Sequence, residues 1–446
     1  MNSTISFSLR GLVVHLVALW IVPWQVFSAA AEEPTRTRQI GLPEAVRLAM
    51  GQSVDVQTAR LRVERSSGDL ALVSAERSLQ IHAGSGLGAT SGIPQSIQGA
   101  APSVAQVTVR QPVIDLGRVR RAEGVRELIR SGELALDGAA EEAVYRVALL
   151  YLDFELSTRE VERVAGDLQL YDEIEALTVA RVAEGLEAPL ALSRVRLDTA
   201  RARERLATAR AQSAMLEAEL KGKLGMDQNV QLRPGPGGDD PGSALREFAG
   251  TMRSRPVEDH PEIAALGAEI RAARHRAAEA RSARLPKMDL VGQYSLLARF
   301  NNYDDYFRRF QRHNWQAGLA VEIPVFTGRG TAERVAKERL RERELILRQE
   351  ARKVAVEVDR MRSDALLKQA ERLAGLARQE LDFAREKVSV LLARLDEGGI
   401  AVEELERARL VESEAWGRLI RSRYDLAKAR LGSVYTSGRI RSAFAD

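Results

Sequence analysis

One short stretch, found twice, organises the sequence: VTVRQPVIDLGR at residues 107–118 and LAVEIPVFTGR at residues 319–329. Each copy follows an alternating apolar and polar stretch and precedes an unusually long helical pattern. Proline lacks a backbone donor and suits a strand end, and glycine loosens the backbone where a strand pattern changes to a helix pattern. The residues that mark these strand-to-helix junctions are Pro112, Gly117, Pro324 and Gly328. Two such junctions about 200 residues apart indicate an internal duplication.

The composition favours long helices over a compact aromatic core. Of 446 residues, 29% are charged and 5% are aromatic, and 66 Lys and Arg face 62 Asp and Glu. Because the charges are interspersed, the small positive excess does not indicate nucleic-acid binding. The chain has no cysteine, which excludes disulfides, thiolate catalysis, cysteine-based zinc sites and a lipid anchor on an N-terminal cysteine.

Residues 1–31 have the pattern of a secretory signal peptide. Arg10 precedes an apolar run from Gly11 to Phe27, and residues 28–31 supply small side chains for cleavage. An uncleaved membrane anchor is the alternative interpretation. No other run approaches the roughly 20 apolar residues that a spanning helix needs. We therefore predict an exported mature chain without a helical membrane span.

The rest of the chain divides into two copies of one plan. We predict a first structural repeat at residues 32–225, a linker at 226–258, a second repeat at 259–435 and a tail at 436–446. Each repeat contains a helix, two alternating strands and a long antiparallel helix pair. Apolar residues recur at seven-residue spacing in the long helices, which is typical of coiled-coil packing. They include Val147, Phe154, Val161 and Leu168 in the first repeat, and Leu366, Leu373, Leu376, Phe383 and Val390 in the second.

The predicted strands are too few to close a barrel. Four strands with one apolar face fall short of the roughly eight that a small barrel needs, and open strand edges are unfavourable in lipid and in water. We therefore predict that other copies of the chain complete the sheet. The predicted fold class is mainly α, with duplicated antiparallel coiled-coil helices and four strands per chain. Trimerisation would then complete an outer-membrane β-barrel of about 12 strands and an α-helical barrel.

The two halves resemble the outer membrane efflux protein family, the TolC-like channels. The order, spacing and duplication of several motifs carry this resemblance over residues 40–435. Besides the twin junctions, these are the helix openings LPEAVRLAM (42–50) and HPEIAAL (260–266), the turns EGL (184–186) and GI (399–400), and the closing RYDLAKARLG (423–432). The resemblance implies a homotrimeric channel in the outer membrane with a long periplasmic portion. It also implies a periplasmic adaptor and an inner-membrane pump as partners, in efflux or type I secretion.

The resemblance further implies where the functional residues lie. Acidic residues just after the second helix turn line the periplasmic constriction in this family, which assigns Glu403, Glu404 and Arg407 to a gate, with Arg407 departing from the acidic pattern. The alternative is a solvated helix face with local ion pairs. The helix tips expected to contact the adaptor are Gly185, Leu186, Gly399 and Ile400. Turn chemistry alone also explains these tip residues.

Alternation along the strands predicts a polar face directed toward a lumen. We expect Arg110, Gln293 and Glu322 on that face. The aromatic segment 300–315 is expected at the membrane–water boundary, where Trp and Tyr are favoured.

No catalytic or cofactor pattern accompanies these features. Residues 84–89, GSGLGA, match the letters of a dinucleotide fingerprint but lie in a predicted strand that opens no helix. The five histidines show no paired spacing of metal ligands. We therefore predict no enzymatic activity, cofactor, metal or nucleic-acid partner. The competing hypothesis is a soluble periplasmic coiled-coil adaptor or scaffold, which explains the helices and the signal but not four symmetrically placed strands.

Overall fold

Long helices and two β-sheets make up the part of the chain that the computed structural model describes. The described residues are 37–86, 103–235, 241, 255–298, 308, 311–396 and 402–444. The predicted signal peptide and most of the aromatic segment 300–315 lie outside them. Within these ranges, no helix is both long and apolar enough to cross a membrane.

The first repeat begins with a short strand and a broken helix. Strand β1 covers Thr37–Ile40, helix α1 covers Leu42–Gln52 and helix α2 covers Val54–Ala75. Pro43 stands in the first turn of α1, where the missing N–H removes no helical hydrogen bond. Ser53, with backbone angles of φ −59° and ψ 126°, separates the two helices.

Two strands and a long helix pair follow. Strand β2 covers Gln80–Gly86 and strand β3 covers Ser103–Ile114. Helix α3, Leu116–Ala183, has 68 residues. At about 1.5 Å per residue it is on the order of 100 Å long. Helix α4, Pro189–Leu224, returns alongside α3 and ends at Gly225, whose φ is 62°.

The second repeat has the same order of helix, two strands and long helix pair. Strand β4 (Gln231–Pro234) and a 3₁₀ turn at Val257–Asp259 precede it. Its elements are α5 (Pro261–Ser282), β5 (Lys287–Leu297), β6 (His313–Glu322), α6 (Gly330–Asp396) and α7 (Val402–Thr436). A 3₁₀ turn at Arg441–Phe444 packs back on the helices.

The four long strands form one antiparallel sheet in the order β2-β3-β5-β6. The repeats meet at its centre, where β3 pairs with β5. The outer strands β2 and β6 each have one edge that pairs with no other described strand. The prediction of four alternating strands in an open sheet is therefore confirmed.

A second, two-stranded sheet was not predicted from the sequence. Strand β1 pairs in parallel with β4, Gln231–Pro234, which lies inside the predicted linker 226–258. The fully buried Ile40 ends β1, and its carbonyl accepts a hydrogen bond from Gly235 N at 2.7 Å. Each strand has four residues, which is too short for a clear alternation to show in the sequence.

Helix α3 joins the two repeats through the largest hydrophobic clusters. On one side, Val144 and Leu152 are buried against Tyr424 and Leu431 of α7. On another side, residues 147–154 of α3 pack against the end of α4 and against α1. The core of the described chain therefore lies around α3 rather than within either repeat alone.

The seven-residue patterns have different outcomes in the two repeats. In α3, Val147 and Phe154 are buried as predicted for packing residues. In α6, all five predicted positions from Leu366 to Val390 are exposed in the single chain. The side of α6 that packs against α7 is a neighbouring row, Ala377, Leu381, Ala384, Val388 and Leu391. Helix α6 thus has a second apolar stripe that no described residue covers.

Burial lowers the pKa of His260, which stands at the N-terminal cap of α5. Its Nδ1 is buried without a hydrogen-bond partner among the described residues. Charged groups act on it from its own helix, from α6 and from the segment before α5: Glu262, Arg352, Arg360 and Arg255. Because the folded state disfavours the imidazolium, the unfolded chain binds more protons as pH falls through the ordinary histidine range. The folded state then loses stability.

We expect acidification from about pH 7.5 to about pH 5 to lower the thermal midpoint of the wild type more than that of His260→Gln, which cannot be protonated. Scanning calorimetry at matched ionic strength measures both midpoints. His82→Gln, at an exposed histidine on β2, is the control for the substitution itself. Equal pH dependence in His260→Gln and the wild type would contradict the expectation.

Candidate functional site

The register of the four-stranded sheet collects polar side chains on one face. Thr108 lies beside His82 on β2 and beside Gln293 on β5, and Gln293 lies beside Gln316 on β6. The Gln316 amide donates to Gln293 Oε1 at 3.0 Å, and the Gln293 amide donates to Ser295 Oγ at 3.2 Å. The middle of this face is therefore a row of uncharged polar groups and one histidine, with side-chain hydrogen bonds joining β5 and β6.

Acidic and basic side chains of the polar face lie at the end of the sheet next to the helices. Arg110 Nε is 3.0 Å from Asp289 Oδ2. Lys287 on β5 lies directly opposite Glu322 on β6. Arg110, Gln293 and Glu322, which alternation predicts on a lumen-facing surface, thus share one face of the sheet.

The opposite face of the sheet is apolar and exposed. Tyr294 pairs with Trp315 and Leu290 pairs with Leu319 across β5 and β6. Their exposed fractions run from 42% for Tyr294 to 75% for Trp315. Ile81 on β2 adds a further exposed side chain to this face. An exposed apolar sheet face of this kind is unfavourable in water and marks a surface that another molecule or phase covers.

The turn between α3 and α4 is a glycine-terminated helix end. Gly185 has φ 72°, a conformation that glycine adopts at little cost. Leu186 N donates to Arg181 O at 2.8 Å and Gly185 N donates to Val182 O at 3.1 Å. This is the hydrogen-bond pattern of a Schellman cap. The side chain of Leu186 is 63% exposed at the tip.

The second helix turn, with Gly399 and Ile400, lies outside the described residues, which end at Asp396 of α6 and resume at Val402 of α7. Glu403, Glu404 and Arg407 lie in the first turns of α7. Arg407 donates to Glu403 in an ion pair four residues apart, which is the local pairing expected of a solvated helix face. Glu404 is exposed and forms no ion pair with a described residue. One uncompensated carboxylate therefore remains at this position.

A buried carboxylate beside these residues was not singled out from the sequence. Glu406 is buried and pairs with Arg409 at 3.1 Å, and its Oε2 is buried without a hydrogen-bond partner among the described residues. Three glutamates within four positions gave no sign of which one faces the neighbouring helix. That choice depends on the rotation of α7 about its axis among the helices that it contacts.

The twin junctions differ in geometry. In the first, Pro112 lies inside β3 opposite Asp289, next to a shift in register. Asp115 alone separates β3 from α3, and its side chain accepts a hydrogen bond from Arg118 N at 3.1 Å. A Cβ on Gly117 would lie 3.0 Å from Asp115 Oδ1, so glycine leaves room for this cap.

In the second junction the strand ends earlier. Strand β6 stops at Glu322, before Pro324, and residues 323–329 lead to α6. Gly328 has φ 61° in this segment. Val325 and Phe326 are 93% and 90% exposed, which places two apolar side chains directly below the sheet.

A comparison with known protein families gives one match, which covers most of the second repeat. Residues 254–432 match the family described as outer membrane efflux protein. Residues 254–432 are therefore similar to that family, and this segment is named the efflux domain below. The match confirms the resemblance that the sequence motifs indicate, and this efflux domain includes β5, β6 and both long helices of the second repeat. No curated protein matches the sequence.

Solved structures extend the likeness over most of the chain. CusC has a TM-score of 0.72 at 16% identity, covering 92% of this chain and 97% of CusC. The Campylobacter jejuni CmeC outer membrane channel has a TM-score of 0.70 at 14% identity, and the alignment covers 89% of this chain and 85% of CmeC. The outer membrane protein VceC from Vibrio cholerae has a TM-score of 0.69 at 16% identity, and the alignment covers 89% of this chain and 96% of VceC. At these identities the likeness establishes the fold alone. The part of the chain that is covered includes the first repeat, which lies outside the efflux domain. The predicted mainly helical fold class is thereby confirmed.

We expect Gly185→Ala at the α3–α4 tip to lower the thermal midpoint, because a residue with a Cβ in the left-handed region costs roughly 1–2 kcal/mol. Gly166→Ala is the matched control, since Gly166 lies inside α3 and a Cβ there meets no atom within 4 Å. That control should raise the midpoint, because alanine stabilises a helix interior by about 0.5–1 kcal/mol over glycine. If calorimetry shows the thermal midpoints of both variants shifting in the same direction, this interpretation is wrong.

Proposed function

We propose that the chain is the outer-membrane channel of a tripartite efflux or type I secretion system. In this proposal it is a passive conduit for substrates that an inner-membrane pump delivers through a periplasmic adaptor. The observation that supports it most is the four-stranded sheet, which has one polar face, one exposed apolar face and two open edges. The efflux domain and the fold shared with outer-membrane channels support the same conclusion.

The proposed assembly is a homotrimer in the outer membrane. Three four-stranded sheets would supply about twelve strands, with apolar faces toward lipid and polar faces toward a lumen. An exposed heptad stripe on α6 supports association between copies. It consists of Leu340, Leu347, Val354 and Met361, which are 59–71% exposed in the single chain. The long helix pairs would form the periplasmic portion.

We propose transport rather than catalysis for this chain. The family that matches residues 254–432 is an efflux family. A soluble adaptor or scaffold is disfavoured, because it would leave Trp315 and Leu319 exposed to water on a sheet with open edges.

We expect the full chain, extracted from outer membranes in detergent, to have the mass of a trimer after the detergent contribution is subtracted. Light scattering coupled to gel filtration measures that mass, and planar-bilayer recording should show discrete conductance steps from the same sample. Salt and carbonate washing of the membranes should leave the protein in place. A monomer or dimer released by that washing and soluble without detergent would contradict the channel and favour the scaffold.

We propose further that Glu403, Glu404 and Arg407 form the periplasmic gate. Replacing both Glu404 and Arg407 with Ala should raise the single-channel conductance by roughly twofold or more, because charged side chains at a constriction restrict flow. Asp198→Ala with Arg201→Ala removes an exposed ion pair of 3.1 Å on α4 and should leave conductance unchanged. If the α7 variant conducts like the α4 control across a pH series, these residues do not form the gate.

A further inference from the structure

A cavity of about 590 Å³ lies where the four-stranded sheet meets the helices. The N-terminal ends of α3 and α6, the C-terminal end of α5 and Lys287 of β5 line it. Lys287 belongs to the polar face of the sheet. The cavity therefore adjoins the surface that the proposed channel directs toward its lumen.

Cations outnumber carboxylates in this cavity, with six Lys and Arg against four Asp and Glu. Two of the arginines are engaged by acidic partners, Arg118 with Asp115 at 3.2 Å and Arg121 with Glu76 at 3.3 Å. Arg121 also lies 3.5 Å from Glu279. The other four cations form no ion pair with a described residue: Arg276, Lys287, Arg334 and Lys337.

Arg276 provides an independent sign that a ligand belongs here. Its Nε is buried and has no hydrogen-bond partner among the described residues. A buried donor without an acceptor is unfavourable, and an anionic oxygen forms the strongest hydrogen bonds with guanidinium. Burial also raises the pKa of the neighbouring Glu279.

The backbone adds to the positive potential. Arg334 and Lys337 are the fifth and eighth residues of α6, which begins at Gly330. Gly117, in the first turn of α3, also lines the cavity. Helix N-termini carry a partial positive charge and favour anions. Two long helices therefore begin at the site where the unpaired cations meet.

We propose that this cavity binds the phosphate or carboxylate group of an anionic solute, with Arg276, Lys287, Arg334 and Lys337 as its ligands. Lys287 on the polar face directs the site toward a solute in the lumen rather than toward lipid. The identification of this solute as cargo rests on the proposed channel function. The binding of an anion in the cavity does not depend on that function. The site would give the conduit a preference for anionic cargo.

The test is calorimetric titration of inorganic pyrophosphate into the purified full chain in detergent. The wild type should bind, and Arg334→Gln with Lys337→Gln should weaken binding by about tenfold or more, because two charge-assisted contacts are lost. Arg339→Gln with Arg343→Gln is the matched control. It removes two exposed arginines from the same helix outside the cavity, and it should bind like the wild type.

Absence of binding to the wild type, or an equal loss in the control, would overturn the proposal. A second arm adds phosphatidylglycerol to the micelles and, separately, free citrate. Displacement of pyrophosphate by citrate supports a soluble anion, whereas displacement by the lipid alone assigns the site to a headgroup and overturns the cargo assignment.

Bilayer recordings on the same samples separate the anion-binding proposal from the channel proposal. Binding without conductance supports the site but contradicts the channel, and conductance without binding overturns the site.

Discussion

The unpaired edges of the four-stranded sheet constrain the whole molecule. Strands β2 and β6 each leave one row of backbone donors and acceptors without a described partner strand. Such rows are unfavourable in water and more so in lipid, where no solvent replaces the missing hydrogen bonds. The remaining long elements of the described chain are helices, so strands from further copies are the natural complement. Association in the proposed channel therefore follows from hydrogen bonding in the sheet.

Helix α3 connects that sheet to the rest of the chain. It begins one residue after β3 and packs against α2, α4, α5 and α7. In its C-terminal half, Arg163 pairs with Glu160 and Asp167 at 2.6 Å each. A Cβ on Gly417 of α7 would lie 2.7 Å from Arg163 Nε, so the small residue admits this ion-paired side chain. Polar and apolar contacts together hold the two repeats along one helix.

Much of the fold and part of the candidate site could be predicted because their signals are local. Alternation over ten residues marks a strand and a long run without proline marks a helix, whatever lies nearby. Strands β1 and β4 were missed because four residues carry too little pattern. The heptad positions predicted to pack in α6, from Leu366 to Val390, are exposed instead, because a neighbouring row that also repeats every seven residues meets α7. Likewise, Glu406 could not be distinguished from Glu403 and Glu404 before α7 was placed.

The sequence by itself determined the duplication, the strand-to-helix junctions and the two-faced strands, because each is a property of neighbouring residues. Only the tertiary structure decided that Arg110 meets Asp289 and that Lys287, Arg276 and Arg334 line one cavity. These contacts join residues that are distant in the chain. They depend on the strand register and on the rotation of each helix about its axis. Both are set by non-local packing, which leaves no periodic signal in the sequence.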